Sequence, residues 1–202
     1  MKTKWIFLLC CVAFTGINAY AQDEEQKGGF KKENLFTGGS LTLQFGNRIT
    51  TMGISPYFGY SVNKFLDVAA SLNFNYTSQR DYYYNGDKVR QTVYGPGAFV
   101  RLYPVKFLFA QAQYEFNMMK QKYIPGGGLP NEKYSFDAHS FLVGGGYAGG
   151  RGEGSNSFYY FSVMWDIGKN DLSPYKDNLQ RAVPIFRAGY NIALFQKRQN
   201  RF

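Results

Sequence analysis

The chain has 202 residues, 19% of them aromatic, with 23 lysines and arginines against 14 acidic residues, one histidine and two cysteines. Both cysteines fall in the opening MKTKWIFLLCCVAFTGINAYAQ, so the remainder of the chain cannot be a disulfide scaffold. The net charge of +9, on a chain that opens this way, points to anionic headgroups or surface polysaccharide and away from nucleic acid.

The opening reads as a secretory signal over residues 1–21. Lys2 and Lys4 are its basic end, Trp5 to Phe14 its apolar core, and Ala19-Tyr20-Ala21 a small-x-small site, with cleavage expected before Gln22. No small residue precedes Cys10, which argues against a lipid anchor there. Removal of the signal leaves 21 basic and 14 acidic residues, a charge of +7. No later apolar run is long enough for a spanning helix.

Residues 22–34, QDEEQKGGFKKEN, read as a flexible leader. Beyond it lie eight strand-like segments: 35–46, 49–60, 65–77, 92–103, 107–119, 137–149, 157–168 and 184–195. Each has the length of a tilted membrane-crossing strand. The connections alternate in length. Those at 61–64, 104–106 and 150–156 are short, and those at 78–91, 120–136 and 169–183 are long and polar; only 47–48 breaks the rule. A soluble sandwich has no reason to sort its loops to opposite ends in this way.

The segments alternate with period two. In FLDVAASLNFNYT, Leu66, Val68, Ala70, Leu72, Phe74 and Tyr76 share one face, and Asp67, Ala69, Ser71, Asn73 and Asn75 the other. Elsewhere the apolar face carries Leu41/Leu43/Phe45, Phe141/Val143 and Phe186/Ala188/Tyr190, against Ser40/Thr42/Gln44, Gln111/Gln113/Glu115 and Arg187/Asn191. The polar face also holds Gly53, Gly59, Gly97, Gly144 and Gly146, as a crowded lumen requires. Aromatic residues gather at the strand ends: Tyr76, Tyr94, Phe116, Trp165 and Phe186 at the long-loop end, and Tyr60, Tyr147 and Tyr159 at the other. The predicted fold is all-β: an eight-stranded antiparallel up-and-down transmembrane β-barrel over 35–195, apolar face to lipid and polar face inward. Residues 196–202 form a basic tail. Closure is required because lipid offers no partner for an open sheet edge.

An eight-stranded lumen is narrow, and a charge inside it needs a partner. Arg101 and Arg187 are therefore expected to meet Asp67, Glu115 and Asp166 in a plug of ion pairs and amides. His139 neighbours Ser140 on the strand, so the two point to opposite faces and cannot form a nucleophile–base pair. One histidine and no remaining cysteine exclude a recognisable zinc site. No catalytic residue and no cofactor is expected. Recognition is placed on the long loops, at Tyr82, Tyr83 and Tyr84, at Tyr123 and at Tyr175, where tyrosine beside lysine and arginine suits protein, glycan or lipopolysaccharide phosphate.

The order of GGSLTLQFG, GISPYFGYSVNKFLDVAASLNFNY and YGPGAFVRLYP resembles the small OmpA-like and OmpX-like outer-membrane barrels, particularly of Bacteroidetes-like bacteria. The resemblance runs over about residues 35–195. It implies a monomer in the outer membrane of a Gram-negative cell, delivered by the outer-membrane insertion machinery. The lipid and lipopolysaccharide of that membrane would be its surroundings. The chain departs from the pattern at its end, since QKRQNRF comes after Phe195. No peptidoglycan-binding domain is expected after the barrel. The role expected is non-enzymatic, structural or adhesion-like. The alternatives are a small porin-like diffusion channel, a lipid-modifying outer-membrane enzyme and a soluble lipocalin-like periplasmic carrier.

Overall fold

The computed structural model describes residues 30–46, 48–151, 157–177 and 180–195. The signal segment, most of the leader and the basic tail lie outside these residues. A 310 turn at Lys32–Asn34 leads into the first strand, and Asn34 Nδ2 donates to the Ser61 carbonyl at 2.9 Å. The eight strands are β1 (Leu35–Gly46), β2 (Ile49–Asn63), β3 (Leu66–Arg80), β4 (Lys88–Val105), β5 (Leu108–Ile124), β6 (Glu132–Gly149), β7 (Phe158–Asp166) and β8 (Ile185–Ala193). Each pairs antiparallel with its sequence neighbours, and β1 pairs with β8 from Phe36↔Ala193 to Leu43↔Phe186. The ring is closed and has no edge.

β3 through β6 run beyond the predicted limits by three to five residues at the long-loop end. The segments 78–80, 88–91, 120–124 and 132–136 are polar and lack the apolar alternation, so periodicity does not mark them. They are strand because each finds a ladder partner in its neighbour, as in Gln79↔Val89 and Gln121↔Tyr134. Half of the barrel wall therefore stands taller than the other half.

Burial settles which face is inside. Leu72 is 51% exposed, whereas Arg101 is 2% and Glu115 0% exposed. Leu41, Ile54, Phe74, Leu102, Phe141 and Phe161 face outward with Leu72. A closed ladder with an apolar exterior satisfies its backbone internally and presents to its surroundings what hydrocarbon requires.

The lumen is filled in layers. Its lower part, towards the short turns, is aromatic: Phe36, Tyr57, Phe99, Tyr103, Phe109, Phe158 and Tyr160 form one buried cluster. These rings fit because inward glycines lie across from them. A Cβ at Gly38 would stand 2.6 Å from the Tyr57 hydroxyl, and one at Gly189 2.5 Å from the Tyr160 ring. Two smaller apolar clusters lie above. One contains Leu142, Met164, Tyr175 and Ile185, and the other Val93, Met119 and Ala138 with Phe136 against it.

Candidate functional site: a plugged lumen beneath an open vestibule

On β5, residues 111, 113 and 115 point inward in succession, two residues apart, so their side chains form a ladder along the lumen. Arg101 Nε donates to Gln111 Oε1 at 2.7 Å, Gln111 Nε2 to Gln113 Oε1 at 2.8 Å, and Gln113 Nε2 to Glu115 Oε1 at 2.8 Å. From β8, Arg187 donates to Gln113 Oε1 at 2.8 Å and to Glu115 Oε1 at 2.9 Å, the latter an ion pair. The expected meeting of Arg187 and Glu115 is thus present at the centre of the barrel.

The other three charges are placed differently from the expectation. Arg101 meets no carboxylate within ion-pair distance among the described residues. Its guanidinium lies among four rings, 4.0 Å from the Tyr160 centroid, 4.6 Å from Phe99, 5.0 Å from Phe109 and 5.5 Å from Tyr57. Ring faces carry negative quadrupole potential, so the aromatic layer supplies the compensation that an acid was expected to supply. Asp67 sits directly across the ladder from Arg101, yet it faces the lower mouth, 3.9 Å from Arg151. The Arg151 guanidinium covers Tyr103 at 3.5 Å and donates twice to the Lys64 carbonyl at 3.2 Å. Asp166 pairs with no arginine among the described residues. It accepts from the backbone N–H groups of Phe141 at 3.1 Å and Gly168 at 2.8 Å, and from the Ser173 hydroxyl. Of the five charges, only Arg187 and Glu115 form an ion pair with each other.

Ser173 belongs to the long connection between β7 and β8, and this connection is a second departure from expectation. Tyr175, expected in an exposed recognition loop, is 1% exposed inside the barrel. Its hydroxyl donates to Glu115 Oε2 at 2.6 Å and accepts from Asn75 Nδ2 at 3.1 Å. Ser173 Oγ lies 3.0 Å from Ser140 Oγ. Beyond Tyr175 the chain turns back as a small hairpin: Asp177 N donates to the Arg181 carbonyl at 2.9 Å and Val183 N to the Tyr175 carbonyl at 3.0 Å. A polar connection folds inward here because the lumen below it presents unmet acceptors, Glu115 above all. Between this strap and the aromatic layer lies a void of about 10 Å³, lined by Arg101, Arg187, Gln113 and inward serines. That is about the space one water needs.

Above the strap the barrel opens into a vestibule of about 1120 Å³. Gln44, Thr77 and Gln91 line its wall, Tyr82, Tyr83 and Tyr123 one rim, and Arg181 the strap side. Tyr82, Tyr83 and Tyr123 form one edge-to-face cluster, with centroid separations of 4.5 and 5.7 Å. Asp87 fastens it, accepting from the backbone N–H groups of Tyr82 (2.5 Å), Tyr83 (2.9 Å) and Tyr84 (3.0 Å) and from the Tyr123 hydroxyl (3.1 Å). Burial pushes the Asp87 carboxyl upward, but these four donors outweigh it and hold it below the ordinary 3.8. Tyr84 is 76% exposed and stands outside the cluster. Asp87 was missed from sequence; the signal available was an acid closing YYYNGD, where an Asx-type turn supplies neighbouring N–H groups.

His139 points outward, stacked on Tyr114, with Nδ1 2.6 Å from the Tyr114 hydroxyl. Ser140 points into the lumen. The Ser140–Ser173–Asp166 chain therefore has no imidazole beside it.

No protein-family profile and no curated protein sequence matches the chain. The solved structures to which it is similar are distant ones. Ail of Yersinia pestis, in complex with the heparin analogue sucrose octasulfate, is 12% identical with a TM-score of 0.46, over 78% of this chain and 96% of that one. The N-terminal β-barrel domain of Pseudomonas aeruginosa OprF is 12% identical with a TM-score of 0.46, over 79% and 98%. Neisserial surface protein A is 14% identical with a TM-score of 0.38, over 79% and 96%. The fold stands on the closed hydrogen-bonded ring itself, independent of these likenesses.

Proposed function

We propose that this protein is a non-enzymatic barrel of a Gram-negative outer membrane, closed to solutes, that presents a tyrosine-rimmed vestibule to the outside. The observation that carries this reading is the contrast between the two spaces in one barrel: about 1120 Å³ at the open mouth and about 10 Å³ at mid-height. A hydrated ion cannot pass a void of one water, and the buried aromatic cluster of Phe36, Tyr57, Phe99, Tyr103, Phe109, Phe158 and Tyr160 fills the lumen below it. The work left to the molecule is at its rim, where Tyr82, Tyr83 and Tyr123 offer rigid amphipathic rings beside glutamine side chains. That chemistry suits a glycan or a protein segment.

Planar-bilayer recording of the refolded protein tests the closed lumen. Only brief events at the noise level are expected. A steady ohmic conductance would make the diffusion-channel alternative correct.

A further inference from the structure

The outer ends of β3 to β6, which rise above the apolar band, carry an outward basic face. Arg80 on β3, Lys88 and Arg90 on β4, Lys120 and Lys122 on β5, and Lys133 on β6 share the outward parity of Tyr76, Tyr94, Phe116 and His139 below them. Their register concentrates the charge. Arg80 stands opposite Lys88, Arg90 opposite Lys122, and Lys122 opposite Lys133, so three cations lie in one row across three strands. Like charges directly opposed on a sheet destabilise it. Among the described residues none of the six is in an ion pair, and the nearest acid on this face, Asp137, lies opposite Met118. On β1, β2, β7 and β8 the last outward strand positions at this end are Phe45, Thr50, Trp165 and Phe186, without a charge; of the cations just past them, Arg48 is paired with Asp81 and Lys169 stands apart in the β7–β8 connection. The patch covers one side of the barrel only.

Its height is set by strand geometry. Four residues separate Tyr76 from Arg80, Tyr94 from Arg90 and Phe116 from Lys120, about 13 Å along each strand. Tilt reduces this to roughly 10 Å along the membrane normal. Aromatic residues mark the boundary between hydrocarbon and headgroups, so the cations stand at the level of the headgroups. Lys120 links the two zones, its ammonium 5.6 Å from the Tyr94 centroid.

We propose that this face binds the phosphate groups of lipopolysaccharide in the outer leaflet, with Arg90, Lys122 and Lys133 as its centre. The proposal rests on the membrane reading above. A phosphate between opposed cations relieves their repulsion and forms charge-assisted hydrogen bonds with each, and the adjoining apolar band accommodates the acyl chains of the same molecule. The face thereby gives the barrel a preferred lipid on one side, with the vestibule rim of β3 to β6 held above it.

The test uses the barrel refolded in phosphatidylcholine bicelles doped either with diphosphorylated lipid A or with the same lipid after enzymatic dephosphorylation. Lipid retained after affinity capture is measured by mass spectrometry. The wild type is expected to retain the phosphorylated form preferentially, and the triple variant Arg90→Gln, Lys122→Gln, Lys133→Gln to lose this preference by roughly 10–100-fold. A control triple at the opposite end, Lys31→Gln, Lys32→Gln and Lys106→Gln, is expected to retain it. Equal retention of the two lipids by the wild type, or a triple variant that behaves like it, would overturn the proposal. So would loss of a soluble sulfated polysaccharide with unchanged lipid retention, which would reassign the face to surface glycans. An unheated gel sample from the same preparation separates the two levels. A folded, faster-migrating barrel without lipid preference overturns only this proposal, whereas absence of the folded band overturns the membrane reading beneath it.

Discussion

Glu115→Gln is the change that bears most directly on the plug. The carboxylate accepts from Arg187, Gln113 and Tyr175 at 2.9, 2.8 and 2.6 Å, and both members of the ion pair are almost fully buried. At 2.9 Å the Coulomb attraction is about 6 kcal/mol for an effective dielectric constant of 20, most of it offset by desolvation of the two charges. Removing only the acid leaves the desolvation of Arg187 uncompensated, so a loss of about 3–5 kcal/mol is expected. Replacing both residues, as Glu115→Met with Arg187→Met, removes the stranded charge and should cost less than the single change. Urea unfolding of the barrel in phospholipid vesicles, followed through Trp165 on the outer face of β7, measures both. A single variant as stable as wild type, or a double variant worse than the single, would refute the argument that the lumen at this height is dry and that the pair is coupled.

Four further outcomes rest on particular contacts. Tyr175→Phe removes the hydrogen bonds to Glu115 and Asn75, worth about 1–3 kcal/mol as a buried pair of partners left unmet. Limited proteolysis should then cut the strap at 169–183 while the barrel remains folded. Leu72→Arg places a cation halfway along the outer face of β3 and should reduce folding stability in bilayers by about 2–4 kcal/mol. Unaltered folding and a gain in water solubility would instead fit a soluble barrel. Gly38→Ala puts a Cβ 2.3 Å from the Tyr190 carbonyl oxygen and should destabilise by about 1–3 kcal/mol, which Tyr57→Phe relieves in part by removing the second contact. Asp87 is held below the ordinary 3.8, so it stabilises the tyrosine cluster fully at neutral pH and above the unfolded value. That contribution is lost as pH falls through the lowered folded value. NMR titration of the Asp87 carboxyl should show this displacement, and Asp87→Asn should abolish the associated change in Tyr82 and Tyr83 signals.

Alternation alone determined that this chain is a sheet with two unlike faces, and the parity of loop lengths determined that the sheet runs up and down eight times. Leu72 outside and Arg101 inside are consequences of those two facts, because side-chain direction along a strand has no freedom beyond period two. The same rule placed His139 and Ser140 on opposite faces. What parity cannot give is the direction a long side chain takes once inside. Arg101 and Asp67 are direct cross-strand neighbours, yet one turns into a pocket of rings and the other towards Arg151. That choice depends on which inward positions carry Tyr57, Phe99, Phe109 and Tyr160 at the same height, a property of barrel stagger and not of any one strand. The fate of Tyr175 was likewise decided by closure. In sequence it lies in a polar loop, and only the ring of strands brings Glu115 and Asn75 beneath that loop with hydrogen-bonding capacity to fill.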